Sequence, residues 1–466
     1  MKWSLECAGP PALCCNPSHG PRGRGAAGWL VRPVLAWLGL KASLRPREAC
    51  FALPQGGVMP PHSKVFALLV LSCALLLVAC DGNEGAASHR TGDEPKGGAA
   101  DTAPAPQAGW KTSSWALPRG GQTLSGRVDD RLPRDPKIEW SVELDGAVIA
   151  DAAIADETVY IGSIMGTFYA LDFANGKERW KFVTEDTIEA PPTVALGKVF
   201  VGSNDRFFYC LDQKSGKMIW KFEGADKFIS GALIVRSADD SEDWVVVNGY
   251  DGICRCLRAK DGSVVWTYET DDQINSTPTI VNHDTVVFGG CDMVVHAVRL
   301  ADGKNVNKVE VDAEIVGTLA TVGSMTYSAN YANQLVAVDA FGKKPAWIYQ
   351  DKDFPFFASP AVNDEMVFIG SRDKHLHAVK RKTGVRAWKV KTGSRVDGSA
   401  IVFDDAVVFG SGDGRLYALN PKDGREIWRL DLGEGLSTDP AFAKGRIVIG
   451  GTDATLFCIV GKQINE

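Results

Sequence analysis

From about residue 136 onward, apolar and polar residues alternate with a period of two, in short runs separated by Gly, Asp and Asn. "AVIADAAIAD" (147–156), "TVYIGSI" (158–164), "TFYALDF" (167–173) and "ERWKFVT" (178–184) are four such runs in succession. Alternation places successive side chains on opposite faces of a strand, so each run predicts a short, half-buried β-strand. The intervening turns favour tight antiparallel hairpins. Asp251-Gly252 and Asp413-Gly414 are strong hairpin signals, because such turns need positive φ.

The four-strand pattern repeats. "GTFYALDFANGKERW" (166–180) returns as "RFFYCLDQKSGKMIW" (206–220), "GICRCLRAKDGSVVW" (252–266), "MVVHAVRLADGKNVN" (293–307), "NQLVAVDAFGKKPAW" (333–347), "KHLHAVKRKTGVRAW" (374–388) and "GRLYALNPKDGREIW" (414–428), with a truncated last copy, "ATLFCIVGKQINE" (454–466). The closing residues Trp180, Trp220, Trp266, Asn307, Trp347, Trp388 and Trp428 stand 40, 46, 41, 40, 41 and 40 residues apart. A fixed period of this size signals stacked or radial repeats, and four strands per period make a propeller blade. The expected fold is all-β: an eight-bladed β-propeller of four-stranded antiparallel blades.

The last copy ends after its third strand, while "PKIEWSVEL" (136–144) is a spare strand ahead of the first. This N-terminal strand is expected to complete the last blade and remove an open edge. It brings its own Trp140, which joins Trp180, Trp220, Trp266, Trp347, Trp388 and Trp428 as blade-packing residues; Asn307 marks the weak fourth position.

Two further columns describe the innermost strands. Val148, Ile188, Phe228, Ile274, Ile315, Phe356, Val396 and Leu436 are all apolar, and two residues on stand the small Ala150, Ala190, Ser230, Ser276, Gly317, Ala358, Gly398 and Thr438. Crowding around a central channel produces such a pattern. The column between them is chemically free: Ile149, Glu189, Ile229, Asn275, Val316, Phe357, Asp397 and Ser437. Such variation suits shape-specific binding better than a symmetric ligand.

The repeated sentence, with "WALPRGGQTLSG" (115–126) leading into "LPRDPKIEW", resembles the pyrroloquinoline quinone (PQQ) repeat propellers over residues 115–466, and within them most nearly the BamB-type lipoproteins of outer-membrane β-barrel assembly. The repeat specifies a fold and not the quinone, since cofactor-free proteins share it. The resemblance implies a non-enzymatic scaffold that binds envelope proteins, the β-barrel assembly insertase among them. The enzyme alternative is a PQQ-dependent dehydrogenase. As a family those enzymes carry a vicinal disulfide over the quinone, calcium held by carboxylates, an Asp base and long insertions between blades. A third reading is a sensor for a small ligand or glycan in the channel.

Composition refines this picture at the front of the chain. "MPPHSKVFALLVLSCALLLVACDGNEG", from Met59, sets Lys64 before an apolar run that ends in Leu77-Val78-Ala79-Cys80. A run of about 15 apolar residues is a secretory signal core. The last four residues resemble a bacterial lipobox, which implies cleavage between Ala79 and Cys80 and lipid on the Cys80 thiol. Residues 59–79 are therefore expected to be a lipoprotein signal peptide, 80–113 a flexible tether and 114–466 a single propeller. A signal peptide does not work from mid-chain, so residues 1–58 are expected to be a mis-called extension with translation starting at Met59. Asp81, directly after the lipid site, is in enterobacteria an inner-membrane retention signal, whereas the BamB resemblance favours the outer membrane.

Residues 1–58 carry a net charge of +5 and residues 59–79 one more, so the whole-chain balance of −6 leaves −12 from residue 80 onward. An acidic surface argues against nucleic acid as a partner. A monomeric propeller is expected. Cys210, Cys256 and Cys458 fall in a column otherwise held by Ala and are expected as small buried thiols; Cys254 and Cys291 would bond only if their strands face each other. The sequence holds no CxxC pair in the propeller, no G-x-S-x-G, no H-E-x-x-H and no phosphate loop. His296 and His377 substitute in the Tyr169 column, so packing is their expected role, with His375 two residues from His377 and His283 in a loop. The acidic "RSADDSEDW" (236–244) matches no EF-hand and is expected as a solvated hairpin. No catalytic, cofactor or metal residues are assigned.

One loop stands apart. "DKDFPFFASP" (351–360) sets Phe354, Phe356 and Phe357 around Pro355 at the entry to the sixth blade. Clustered aromatic residues at a rim are what interfaces use as anchors, so these three are the candidate partner-binding residues, with Phe356, a member of the apolar column, expected to pack and Phe354 and Phe357 expected on the loop face.

Overall fold

A computed structural model describes residues 115–237, 239–351 and 354–462. The extension, signal peptide, Cys80 and tether read from the sequence lie outside the described residues. The described chain forms eight four-stranded antiparallel sheets, arranged as the blades of a β-propeller. Blade 1 contains Ala153–Ala155, Thr158–Gly162, Thr167–Asp172 and Glu178–Val183, and blades 2 to 7 repeat that order. The inner three strands of blade 1 are almost wholly buried, whereas the outermost alternates between exposed and half-buried positions. Its exposed residues include Glu178, Arg179 and Lys181, charges that discourage further strand pairing.

Blade 8 closes the ring. Ala441–Ala443, Arg446–Gly450 and Thr455–Lys462 are completed by Arg134–Glu143, which pairs antiparallel with the last of them, Trp140 opposite Cys458. The two ends of the propeller thus share one sheet, in the manner the spare strand predicts.

The Ala/Cys column exists to make room for the Trp column. Ala170 faces Trp180, Cys210 faces Trp220, Cys256 faces Trp266, and Ala337, Ala378 and Ala418 face Trp347, Trp388 and Trp428. Each indole then donates its Nε1–H to a carbonyl in the next blade: Trp180 to Gln213 at 3.1 Å, Trp220 to Ala259 at 3.2 Å, Trp266 to Leu300 at 2.7 Å, Trp347 to Arg381 at 2.9 Å, Trp388 to Pro421 at 3.1 Å. Trp428 donates to Pro133 and Trp140 to Phe173, which carries the series across the seam. Asn307 keeps the bond without the ring: its Nδ2 donates to the carbonyl of Ala340 at 2.9 Å. A Gly of the neighbouring blade supports the indole. Gly176 has φ +71°, and a Cβ there would lie 2.8 Å from the Trp140 ring.

Blade connections and the turns between second and third strands lie on one face, the upper; the other turns lie on the lower face. Residues 115–128 form a strap across the lower face. Its carbonyls accept from the innermost strands in blade order: Trp115 from Ile154, Ala116 from Val194, Thr123 from Thr321, Ser125 from Val362 and Gly126 from Val402. Gln122 fills the gap, its Nε2 donating to Ile234 and its carbonyl accepting from Thr279 Oγ1. Blade 8 receives a side chain instead. Arg119, at φ 52° and 5% exposed, sends its guanidinium to Asp439 at 2.6 Å and to the carbonyls of Pro360, Ala400 and Leu124. The strap closes the lower end of the channel, so the axis is a cup open upward.

Candidate functional site

The cup has a cavity of about 230 Å³. Its wall is the chemically free column: Ile149, Glu189, Asn275, Val316, Phe357, Asp397 and Ser437 all line it. Its floor is a column two residues on, which includes Asp151, Thr318, Ser359, Ser399 and Asp439. That floor column is stitched from blade to blade. The backbone N–H of Gly231 donates to Thr277 Oγ1, Thr277 to Thr318, Thr318 to Ser359 and Ser359 to Ser399, each at 2.8–3.2 Å. Ser399 N–H then donates to Asp439 Oδ1, and Asp439 N–H to Asp151 Oδ1 at 2.8 Å. The chain of bonds ends at Asp151, because the next residue of the column, Pro191, offers no side-chain acceptor.

Two carboxyls therefore meet on the floor. Burial, and then the charge of Asp439, push the Asp151 carboxyl up to about 8, while Arg119 pulls weakly the other way. Asp439 has Arg119 as its ion partner. Higher in the cup, Asp397 is held by Arg372 and Arg395, each at 3.0 Å, and Glu189 accepts from Asn204 Nδ2 at 2.7 Å. Asn275 donates Nδ2–H to Cys291 Sγ at 3.3 Å, while its buried Oδ1 has no hydrogen-bond partner.

Six of the eight turns between second and third strands carry an Asp at one position, Asp205, Asp251, Asp292, Asp373, Asp413 and Asp453, and this column has a structural task around the upper rim. Asp205, Asp251 and Asp413 accept backbone N–H groups of Glu185, Ala225 and Gly393, tying each turn to the connection arriving from the blade before. Each Asp also meets the residue four further on: Tyr209 and Tyr417 donate to Asp205 and Asp413 at 2.7 Å, and Arg255 pairs with Asp251. His296 Nε2 lies 2.7 Å from Asp292 and His377 Nε2 3.1 Å from Asp373. Their other ring nitrogens face the hydroxyls of Tyr268 and Tyr349, at 3.0 and 2.9 Å, on the outermost strands of the preceding blades. These Tyr–His–Asp series resemble proton relays, yet both imidazoles are 1% exposed and join blade to blade. Blade 1 departs from the column. Asp145 replaces the turn Asp, accepting from Ser163 and Thr167, and Met165 occupies the turn.

Asp351, Asp373 and His377 cluster closely enough to suggest a metal centre. Lys389 already occupies it, with Nζ 2.5 Å from Asp351 and 3.6 Å from Asp373, and Arg386 lies 2.8 Å from Asp351. Burial opposes ionisation of Asp373, but His377, His375 and Lys389 together hold its carboxyl well below the usual range.

The three candidate rim rings have different fates. Phe354 is 48% exposed. Phe356 is 2% exposed, packed against Tyr349 and His377, and so belongs to the core and not to a contact surface. Phe357 is half-buried in the cup wall, with the Arg372 guanidinium 4.1 Å above its ring and Tyr331 edge-on. Sequence reasoning missed a second apolar point on the same face: Ile164 at 39% and Met165 at 62% exposure, folded over Gly146. The signal was legible as the one Met in a column of Asp.

The remaining candidates are quiet. All five described cysteines are buried and outside disulfides, Cys254 and Cys291 included, and burial pushes the thiols of Cys210 and Cys458 up to about 12. In the acidic hairpin Asp240 and Asp243 pair with Arg236, Glu242 pairs with Arg258, and Asp239 accepts from Ser237 and Ser241. Among the described residues no helix is long and apolar enough to cross a membrane.

Among solved structures, BamB from Moraxella catarrhalis superposes with a TM-score of 0.60 at 22% identity, covering 71% of this chain and 99% of that one. The quinohemoprotein alcohol dehydrogenase of Comamonas testosteroni gives 0.65 at 13% identity, covering 77% and 82%. A europium-containing methanol dehydrogenase gives 0.60 at 12%, covering 74% and 98%. At these identities the likeness is one of fold. No curated protein matches the sequence significantly. The family model described as outer membrane protein assembly factor BamB matches residues 118–291 and 291–463, and the chain belongs to that family of PQQ-type propellers.

Proposed function

We propose that this protein is a non-enzymatic scaffold of the bacterial cell envelope, tethered through lipid on Cys80, facing the periplasm and holding other envelope proteins during outer-membrane protein assembly. Family membership supports the envelope setting. The observation that carries the binding role is a set of exposed apolar points on the upper face: Phe354, Met293, and Ile164 with Met165. Surface rings and thioethers without partners suit protein contact. The tether of about 30 residues gives roughly 30 Å of r.m.s. reach, enough for a rigid ring to present that face to a partner in the same membrane.

A quinone and its calcium are not part of this proposal. Calcium takes 6–8 oxygen ligands, chiefly from carboxylates free to turn toward it. In the cup Asp397 is committed to two arginines and Asp439 to Arg119, which leaves only the carboxyls of Asp151 and Glu189, on different blades, to such an ion. The cavity of about 230 Å³ is smaller than pockets for ligands of quinone size, and Cys291, in contact with the wall residue Asn275, has no adjacent cysteine. The residues present do not fit that cofactor pair.

The direct test is affinity purification of the intact, lipidated protein from its own membranes, with mass spectrometry of what accompanies it. Recovery of the β-barrel insertase supports the scaffold. Recovery of cytochromes, or a bound quinone with calcium-dependent dehydrogenase activity, overturns it.

A further inference from the structure

The cup is polarised along its axis. Ile149, Val316 and Phe357 give the wall an apolar stretch, Asn275 in the same wall adds an Oδ1 without a donor, and the floor below carries the carboxyls of Asp151 and Asp439. That oxygen is the informative atom. Asn275 is 9% exposed, lines the cavity, and has its amide nitrogen engaged by Cys291, so its oxygen is buried without a donor. A buried acceptor left unmade costs about 1–3 kcal/mol, and a small turn of the Asn275 amide toward a donor in the cup would recover it.

Charge points the same way. Asp397 and Asp439 are matched by arginines, whereas no Lys or Arg lies within ion-pair distance of Asp151 or Glu189 among the described residues. The cup thus offers carboxyls without a matching cation, an unfilled amide oxygen and an apolar approach, with its far end sealed by the strap. A group with several N–H donors, a positive charge and a short hydrocarbon stem is complementary to all of these.

We propose that the cup binds a primary alkylammonium group, stem against Ile149, Val316 and Phe357 and head toward Asp151 and Asn275. The group could arrive on a free amine or on a lysine side chain of a partner protein, since the chemistry recognised is the same. Such binding goes beyond the scaffold role and does not require it, because the rim residues Phe354 and Met165 take no part.

Binding carries a pH signature. Asp151 faces Asp439 and Arg119 across the floor, with Glu189, Asp397 and Arg372 above. Its elevated proton affinity means the ammonium must displace a proton near neutrality. Affinity should therefore rise from pH 6.5 to 8.5, a range in which a lysine-like amine of pKa about 10.4 stays charged.

The test is calorimetric titration of the full-length protein in detergent with n-butylammonium, with 1-butanol, tetramethylammonium and calcium as comparisons, and with a short lysine-containing peptide. Saturable binding of n-butylammonium is expected, at least tenfold tighter than the comparisons and tightening with pH. Asp151→Asn, which keeps an acceptor for the Asp439 N–H, should abolish the pH dependence and weaken binding about tenfold or more. Asn275→Leu should weaken it without removing the pH dependence. Peptide binding that competes with n-butylammonium assigns the source to a partner's lysine; n-butylammonium binding alone assigns it to a free amine. Absence of saturable n-butylammonium binding, equal binding of 1-butanol, preference for calcium, or indifference to Asp151→Asn overturns the proposal. A circular dichroism melt of each variant confirms that the fold persists.

Discussion

The backbone N–H of Asp439 donates to Oδ1 of Asp151 at 2.8 Å, joining the eighth blade to the first across 288 positions of sequence. The bond ends a series that begins at Gly231 and runs round the channel floor, and it sets two carboxyls side by side out of bulk water. Between the unfolded pKa of about 4 and the folded value of about 8, the native state holds a proton on this pair that the unfolded chain has released. Native stability contributed by this proton is present at acid pH, declines as pH rises through that window, and levels off above it. Unfolding free energy should fall by up to about 1.4 kcal/mol per pH unit between pH 5 and 7. In Asp151→Asn that slope should vanish; denaturant titrations at several pH values read it directly.

Arg119 laces the strap to the eighth blade through an ion pair, with its charge 2.6 Å from Asp439. Arg119→Met removes the charge and leaves a buried carboxylate without its partner, a loss of about 3–5 kcal/mol. Asp439→Asn in the same chain should restore much of it, because Asn still accepts from Ser399. A double-mutant cycle in urea measures the coupling.

The outer rungs differ in kind. Trp220 gives both a ring and a hydrogen bond, so Trp220→Ala should cost about 3–5 kcal/mol. Asn307 gives its amide to Ala340 and Gly342 with no ring, and Asn307→Ala should cost about 1 kcal/mol. Equal costs would mean that the indole packing contributes little.

Two glycines separate backbone strain from crowding. Gly197 has φ +68° with open space around it, whereas Gly176 has φ +71° and the Trp140 ring beside it. Gly197→Ala should lose about 1–2 kcal/mol, the cost of a left-handed residue, and Gly176→Ala distinctly more. Thermal melts of the two variants give the difference.

Much of this was written in the columns. The Trp spacing and the spare strand at 136–144 are local patterns, and local patterns survive in a one-dimensional string. The seven wall residues of the cup were legible as a column, though not as a cup. What escaped was whatever depends on bringing remote blades together. The floor series uses Thr277, Thr318, Ser359 and Ser399, which look in sequence like ordinary turn residues; only the closed ring gives each a donor from its neighbour. Arg119 sits in a Gly- and Pro-rich stretch that showed a family likeness but not its lacing across the lower face. Phe356 stood in the sequence both in the aromatic loop and in the apolar column, and the column decided its burial.

The central claim is that the upper face holds a protein partner, and site-specific photocrosslinking tests it most directly. A photoreactive residue placed at 354, at 165, or at lower-face Leu196 in the lipidated protein, and activated in its own membranes, would report what each point touches. The account predicts crosslinks to the β-barrel insertase from 354 or 165 and none from 196. Crosslinks from 196 alone, or from 354 and 165 only to redox proteins, would contradict it.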